Sequence, residues 1–434
     1  MSVTVIPLGG FQEIGRNCLA LDIDGKILLI DFGFNLERFL EISKRKTNFF
    51  KHSTKSLLNS NVLPDILKLK QRKKDVIGII CSHAHLDHIG AIPYLANKFS
   101  CKIHATPFTA SVIRKLSLEK TKKPLNIEVH DSNSHFNIAG INIDFIPVAH
   151  STPDSVVIAI HTSAGIIMYA NDFKIDETPI IGNKTNLNLF KKYSGKIKLL
   201  CLDCLYSAQK GHCESESTIK EELLNLNLKN HRAIFASTFS SHIARISTLC
   251  DLAEKLNRKV VFAGSSLTRY LSAAKDSNIL DLTKNKLMLK FKKDISTFFR
   301  NIIDPENYFF IVTGHQGEEN STLLKLINGN FKFNKNDVVL FSNHIIPSEI
   351  CIKNRKKLEN NLNKFNVKMI KDIHVSGHLF AEDHNTICNI LKPEYILPSH
   401  GDEQMMDTMR KNLISTGFKR SKILNLKVGS KFTL

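Results

Sequence analysis

The chain has 434 residues, 42% of them hydrophobic, and carries 60 lysines and arginines against 41 acidic residues for a formal net charge of +19. That length and apolar content suffice for two or three domains with sizeable cores and exclude a disordered polymer. No window approaches the roughly 18 continuous apolar residues of a membrane span.

The start, Met1-Ser2-Val3-Thr4-Val5-Ile6-Pro7, lacks the basic and apolar regions of a signal peptide, so a cytoplasmic protein without membrane contact is expected. Nine scattered cysteines, an odd number, favour reduced thiols over a secreted disulfide framework. Excess positive charge suits an acidic polymer as partner. Ordinary solvated lysines give the same balance, and only a chemical site in the same chain tips it towards nucleic acid.

Taken in order, short apolar runs at 3–6, 19–23 and 26–31 are separated by turns, and Asp24-Gly25 between the last two signals a hairpin. Residues 37–75 break this pattern with Lys44-Arg45-Lys46, Lys51-His52 and Gln71-Arg72-Lys73-Lys74. This segment reads as an exposed insertion, either a solvated loop or an RNA-contacting arm. His52 is given no functional role.

The apolar run 76–80 reads as a buried strand, and it ends in Ser82-His83-Ala84-His85-Leu86-Asp87-His88. Imidazole and carboxylate are good ligands for zinc and similar divalent ions. His83 and His85 alternate in an extended turn and point the same way, while Asp87 and His88 begin the next helix and face a neighbouring position. That arrangement suits two metals.

A helix is expected over 89–98, a strand over 101–105, and a further helix opening at Thr106-Pro107-Phe108-Thr109. The strand 141–148 delivers His150, and the strand 165–170 delivers Asp172. His104, His130, His135 and His161 lie off these strand ends and read as structural or surface histidines. Cys201-Leu202-Asp203-Cys204 has the spacing of half a zinc site, but no second such pair completes it, and the run reads as a buried strand.

From 218 to about 341 strands and helices alternate, which predicts a separate domain built on a parallel sheet. Its strand ends carry Thr238-Phe239-Ser240-Ser241, Gly264-Ser265-Ser266 and Thr313-Gly314-His315-Gln316-Gly317-Glu318. Such loops either hold phosphates or cap helices. Two late strand ends bear histidines, His374-Val375-Ser376-Gly377-His378 and Ser399-His400-Gly401-Asp402, and a helix over 403–415 and a short strand pair ending at Leu434 close the chain.

The series His83, His85, Asp87, His88, His150, Asp172 and His400 resembles the ligand set of the metallo-β-lactamase superfamily. The middle domain and His374-Val375-Ser376-Gly377-His378 resemble its β-CASP branch, which acts on nucleic acids. Within that branch the chain is similar to the ribonuclease J group in its short archaeal form. The resemblance rests on Gly9-Gly10-Phe11-Gln12-Glu13-Ile14-Gly15-Arg16-Asn17, Pro153-Asp154-Ser155, Asp172-Phe173-Lys174-Ile175-Asp176 and Gly314-His315-Gln316-Gly317-Glu318, and on residues 391–401. It extends over nearly the whole sequence.

The resemblance implies an α/β protein, a metallo-β-lactamase αββα sandwich with an inserted β-CASP domain of parallel sheet and flanking helices. Boundaries are placed at 1–207, 208–360 and 361–434, the first and last forming one domain. It implies two divalent ions, zinc as the usual one and manganese as the alternative. His83, His85 and His150 go to one ion, Asp87, His88 and His400 to the other, and Asp172 bridges them.

Catalytic roles follow for Asp87, His378 and Asp203, with His378 as general acid tuned by Asp203. His374, Ser240, Ser241 and Ser376 are expected to contact substrate. The expected reaction is two-metal hydrolysis of single-stranded RNA, 5′ to 3′, leaving 5′ phosphates and serving RNA degradation and rRNA processing. A homodimer and contacts with other RNA-decay proteins are further implications.

Three alternatives stay open from the residues: an RNA endonuclease of the same fold, a small-molecule ester or thioester hydrolase, and a catalytically inactive RNA-binding subunit. The sequence also departs from the family pattern. His315 stands where serine is usual, Cys204-Leu205-Tyr206 replaces a Ser-Thr-Asn run, and Leu379-Phe380 follow His378 where small residues are common. The run 341–349 replaces a more serine-rich one.

Overall fold

A computed structural model describes residues 2–42, 52–121, 123–319, 321–346 and 348–434. Two compact units divide the chain: Met1–Phe39, Phe50–Glu214 and Ser376–Leu434 form the first, and Leu40–Phe49 with Ser215–Val375 form the second. The sequence placed boundaries at 207/208 and 360/361. The latter falls inside the helix Glu349–Asn363, whose polar surface hides its continuation from an apolar-run reading.

The first unit holds two sheets. One runs in the order Phe432–Thr433, Val3–Gly9, Cys18–Ile23, Lys26–Ile30, Val76–Ile80, Lys102–Ala105, Ile127–Val129. The hairpin at its start forms because Asp24 and Gly25 both adopt positive φ, 49° and 87°, the backbone that a two-residue turn between twisted strands requires. The last strand pairs with the first, Thr433 opposite Thr4, and not with a chain neighbour as expected.

The other sheet runs Tyr395–Ser399, Ile197–Asp203, Gly165–Ala170, Val156–Thr162, Ile141–Pro147, His135–Ile138. Residues of both sheets share one core, with Val5, Leu19, Leu28 and Ile80 from the first and Phe145, Ile158, Met168 and Leu200 from the second. Near-continuous apolar strands, buried on both faces, are what a sandwich covered by helices demands. Tyr395–Ser399, Ile197–Asp203 and Gly165–Ala170 are mutually parallel, so Ser399, Asp203 and Ala170 end side by side.

The segment 37–75 is more than an exposed insertion. Among its described residues are the helix Thr54–Asn59 and two 3₁₀ turns, and Phe39, Leu57, Val62, Leu63, Ile66 and Leu69 are buried. Its apolar residues are too widely spaced among lysines and asparagines to show a helical stripe in sequence. His52 is buried against Phe39 with ring centroids 5.3 Å apart. The Lys44-Arg45-Lys46 cluster and Lys51 lie outside the described residues.

The second unit is a six-stranded, wholly parallel sheet ordered Leu287–Leu289, Lys259–Ala263, Tyr308–Val312, Ile234–Ser237, Val338–Phe341, Lys368–Ile370. Its helices include Ile243–Lys255 and Ser265–Asp276. A phenylalanine cluster, Phe235, Phe299, Phe310, Phe331 and Phe333, fills one side of its core. The fully buried Arg245 forms a two-pronged pair with Glu216 at 2.6 and 2.8 Å and donates to Ser342 Oγ and to the Ser342 and Ile373 carbonyls.

Removing one partner of such a pair strands the other charge away from water. Arg245→Ala is expected to destabilise the protein by about 3–5 kcal/mol, read as a lower denaturant midpoint.

Candidate metal centre

The loop after Val76–Ile80 is fixed by the loop after Lys26–Ile30. Asp31, fully buried, accepts the Ser82 backbone N–H at 2.7 Å through Oδ1 and the Ser82 hydroxyl at 2.8 Å through Oδ2, which also meets His88 Nδ1 at 2.6 Å. Gly33 lies so close to Asp87 that a Cβ there would overlap the Asp87 carbonyl, at 1.6 Å from its oxygen. The short helix Leu86–Ile89 thereby holds Asp87 and His88 in place.

The donor atoms gather in two groups that share Asp172: His83, His85, His150 and Asp172, and Asp87, His88, Asp172 and His400. In the first, His83 Nε2 and His150 Nε2 lie 3.1 and 3.2 Å from His85 Nδ1, and Asp172 Oδ2 is 3.6 Å from His83 Nε2. In the second, Asp172 Oδ2 is 3.1 Å from His88 Nε2 and 3.8 Å from His400 Nε2, and Asp87 Oδ2 is 3.6 Å from each of these nitrogens.

The ring nitrogen turned away from the centre is engaged in each case. His83 Nδ1 meets Ser82 Oγ at 3.0 Å, His150 Nδ1 the Gly377 carbonyl at 2.8 Å, and His85 Nε2 Ser151 Oγ at 3.3 Å. His400 Nδ1 meets the Asn17 side-chain amide, 2.8 Å from its nitrogen and 3.1 Å from its oxygen, and the same amide nitrogen is 2.9 Å from His88 Nε2. For His83 and His150 these outer acceptors select the tautomer that leaves the inward nitrogen's lone pair exposed. Asp31, Asp172 and His400 all have positive φ, 57°, 50° and 56°, a strain of about 1–3 kcal/mol per residue that the surrounding bonds must hold.

These donors fit divalent ions. Donors about 2.0–2.1 Å from a tetrahedral ion stand about 3.3 Å apart, close to the spacing of the three imidazole nitrogens. Asp172 Oδ1 is buried and has no hydrogen-bond partner, a cost that a cation removes. Burial, then the neighbouring imidazoles, pushes His85 and His150 down to about 3 and His83 well below the ordinary histidine range, so these rings present lone pairs and not protons.

Beside the two groups, His378 Nδ1 meets Asp203 Oδ2 at 2.6 Å, and the other Asp203 oxygen accepts the Leu205 N–H at 2.8 Å. Burial opposes the charged ring of His378, but the Asp203 carboxylate, then Asp172, outweighs it and raises the group to about 9. The His378 ring is 5.4 Å from that of His150 and 5.8 Å from that of His400. Ser376 Oγ accepts the His378 backbone N–H at 3.0 Å.

The remaining substrate candidates, Ser240, Ser241 and His374, belong to the second unit. Ser240 Oγ lies 2.8 Å from Ser266 Oγ, Ser241 is buried, and His374 packs against His344 with centroids 4.5 Å apart. His315 is buried against Phe239, its ring nitrogens have no hydrogen-bond partner, and burial, then Arg355, pushes it down to about 3. The supporting roles of Asp31, Asn17, Ser82 and Gly377 were missed in the sequence, although the last three stand inside motifs named there and Asp31 is an acid at the end of an apolar run.

Family models match along the chain: the metallo-β-lactamase superfamily over residues 12–204, the ribonuclease J β-CASP domain over 230–364, and a Zn-dependent metallo-hydrolase RNA specificity domain over 364–423. A ribonuclease J from Methanocaldococcus jannaschii is 34% identical over 98% of this chain and 97% of its own length. The chain belongs to the ribonuclease J family.

Another ribonuclease J, from Pyrococcus abyssi, is 32% identical over 93% of this chain and 91% of its own length. A crystal structure of a protein of unknown function from Enterococcus faecalis superposes with a TM-score of 0.66 at 16% identity, covering 100% of both chains, a likeness of fold alone. The architecture is therefore a metallo-β-lactamase domain with an inserted β-CASP domain. No helix among the described residues is long and apolar enough to cross a membrane.

Asp31 sets both the His88 ring and the Ser82 turn. Asp31→Asn is expected to weaken divalent-metal binding by about 10–100-fold, measured by competition with a chromogenic chelator.

Proposed function

We propose that this ribonuclease J family member hydrolyses RNA phosphodiester bonds with two divalent ions, degrading single-stranded RNA from the 5′ end and leaving 5′ phosphates. The observation that carries the reading is the pair of donor groups meeting at Asp172, whose second carboxylate oxygen is buried without a partner. His83, His85 and His150 would hold one ion and Asp87, His88 and His400 the other, with Asp172 between. Mostly imidazole donors with two carboxylates suit zinc, and manganese is the alternative. Bound divalent ions supply positive charge that offsets the charge developing on the phosphoryl oxygens.

The leaving 3′ oxygen needs a proton when its bond to phosphorus breaks. His378 holds one at neutral pH, because Asp203 fixes Nδ1 and leaves Nε2 as the transferable site. Asp203 positions and polarises the ring without itself touching substrate, and Ser376 holds the backbone beneath it.

The net charge of +19 supplies the counter-charge that a polyphosphate chain recognises, which a small ester does not need. Ser240 and Ser241, just beyond the C-terminal end of the strand Ile234–Ser237, and His374 are assigned to backbone phosphates.

His378→Ala is expected to lower kcat for RNA cleavage by about 10²–10⁴-fold while metal content stays at the wild-type value. Asp172→Ala should lose the two ions of this centre together with cleavage. Wild-type turnover by the His378 variant would remove it from the proton-transfer role, and full cleavage by a metal-depleted Asp172 variant would refute the metal mechanism.

A further inference from the structure

Away from these donors, the edge of the first unit's seven-stranded sheet carries a separate set. His104 on Lys102–Ala105 and Glu128 on the edge strand Ile127–Val129 face each other in register, and His130 follows directly, its backbone N–H bonded to the Ala105 carbonyl at 3.0 Å. His104 Nδ1 and His130 Nε2 are 3.0 Å apart, Glu128 Oε1 is 3.8 Å from His130 Nε2, and all three donor atoms lie within 4.8 Å of one another. The two shorter spacings, 3.0 and 3.8 Å, bracket those of the first donor group above, 3.1–3.6 Å.

We propose that His104, Glu128 and His130 form a third divalent-metal site, a zinc-type site that pins the sheet's edge strand to its neighbour. Two imidazoles and one carboxylate are a donor set that zinc accepts with a fourth position left to water. The neighbours restrain the donors. The His130 ring stacks on Phe136 at 3.7 Å and 11°, and Lys102 Nζ takes the other Glu128 oxygen at 2.9 Å, leaving Oε1 towards the imidazoles.

The two imidazoles are nearly shut off from water, whereas the Glu128 side chain is 43% exposed and gives an ion its way in. Burial pushes His104 down to about 4 and also lowers His130, while the bond from Lys102 lowers Glu128, so all three are in their binding forms at neutral pH. A three-residue edge strand has few ladder bonds of its own, and a metal bridge to the adjacent strand adds a tie that those bonds do not supply.

The test is equilibrium dialysis of the full chain against zinc alone, followed by metal analysis, with RNA cleavage assayed in parallel. Wild type is expected to hold three zinc ions and Glu128→Gln two, with zinc affinity at the third position falling about tenfold or more and RNA cleavage unchanged. In an Asp172→Ala background one zinc should remain, and adding Glu128→Gln should release it. His130→Gln serves as a second variant and should behave as Glu128→Gln does.

Equal zinc content in wild type and Glu128→Gln would overturn the proposal and leave the two rings as a simple hydrogen-bonded pair. Since cleavage is read separately, that result would leave the catalytic reading untouched, and loss of cleavage in the Asp172 series would not bear on the third site.

Discussion

The first unit is organised around a set of donors that their mutual contacts leave incompletely satisfied. Five imidazoles and two carboxylates meet with their inward atoms 3.1–3.8 Å apart, the outer nitrogens of the rings already taken, and one Asp172 oxygen left without a partner. Inside a protein, the unprotonated nitrogens of His83, His85 and His150 and a carboxylate brought so close repel unless a cation sits among them. Much of the surrounding fold serves to hold that arrangement: glycine at position 33, where any Cβ would overlap the Asp87 carbonyl, the buried Asp31 beneath Ser82 and His88, and the positive φ of Asp31, Asp172 and His400.

The sandwich explains why residues so distant in sequence can meet. Parallel strands deliver their C-terminal ends to one side of a sheet, so Asp172, Asp203 and His400 emerge from three adjacent strands, Gly165–Ala170, Ile197–Asp203 and Tyr395–Ser399. The other sheet contributes the histidine turn after Val76–Ile80. The hydrogen bonds from Val156 N–H to the Ser82 carbonyl and from His400 N–H to the Gly10 carbonyl, 3.0 and 2.7 Å, tie the two sheets together at this end. His378 arrives on the return of the chain from the second unit, and its Asp203 bond fixes which nitrogen faces inward.

What could be read from the sequence follows from how local each signal is. The histidine turn announces itself, because four ligand-type residues within six positions after an apolar run have little other use. The alternation of the second unit and the helix Glu403–Ser415 are equally local and are found where periodicity puts them. His150, Asp172 and His400 are single residues at strand ends, and only a family resemblance joins them into one set.

Asp31 shows only as an acid at the end of an apolar run and Asn17 only as the last residue of a family-like stretch, and neither signal distinguishes an outer support from a turn residue. The pairing of Phe432–Thr433 with the first strand, and the buried residues of the segment 37–75, depend on contacts that sequence spacing does not encode. His104 and His130 read as isolated histidines because 26 positions separate them, and only strand register brings them together with Glu128.

The most direct measurement is a time course on a 5′-monophosphorylated RNA carrying a 3′ fluorophore, with and without chelator, beside an identical 5′-triphosphorylated RNA. Loss of the monophosphorylated RNA that stops with chelator and passes through no discrete intermediates is the expected result for a metal-dependent 5′ exonuclease. Chelator-insensitive cleavage, or none from metal-loaded protein, would contradict the central role of the donor cluster, and equal internal cuts in both RNAs would contradict the 5′ polarity.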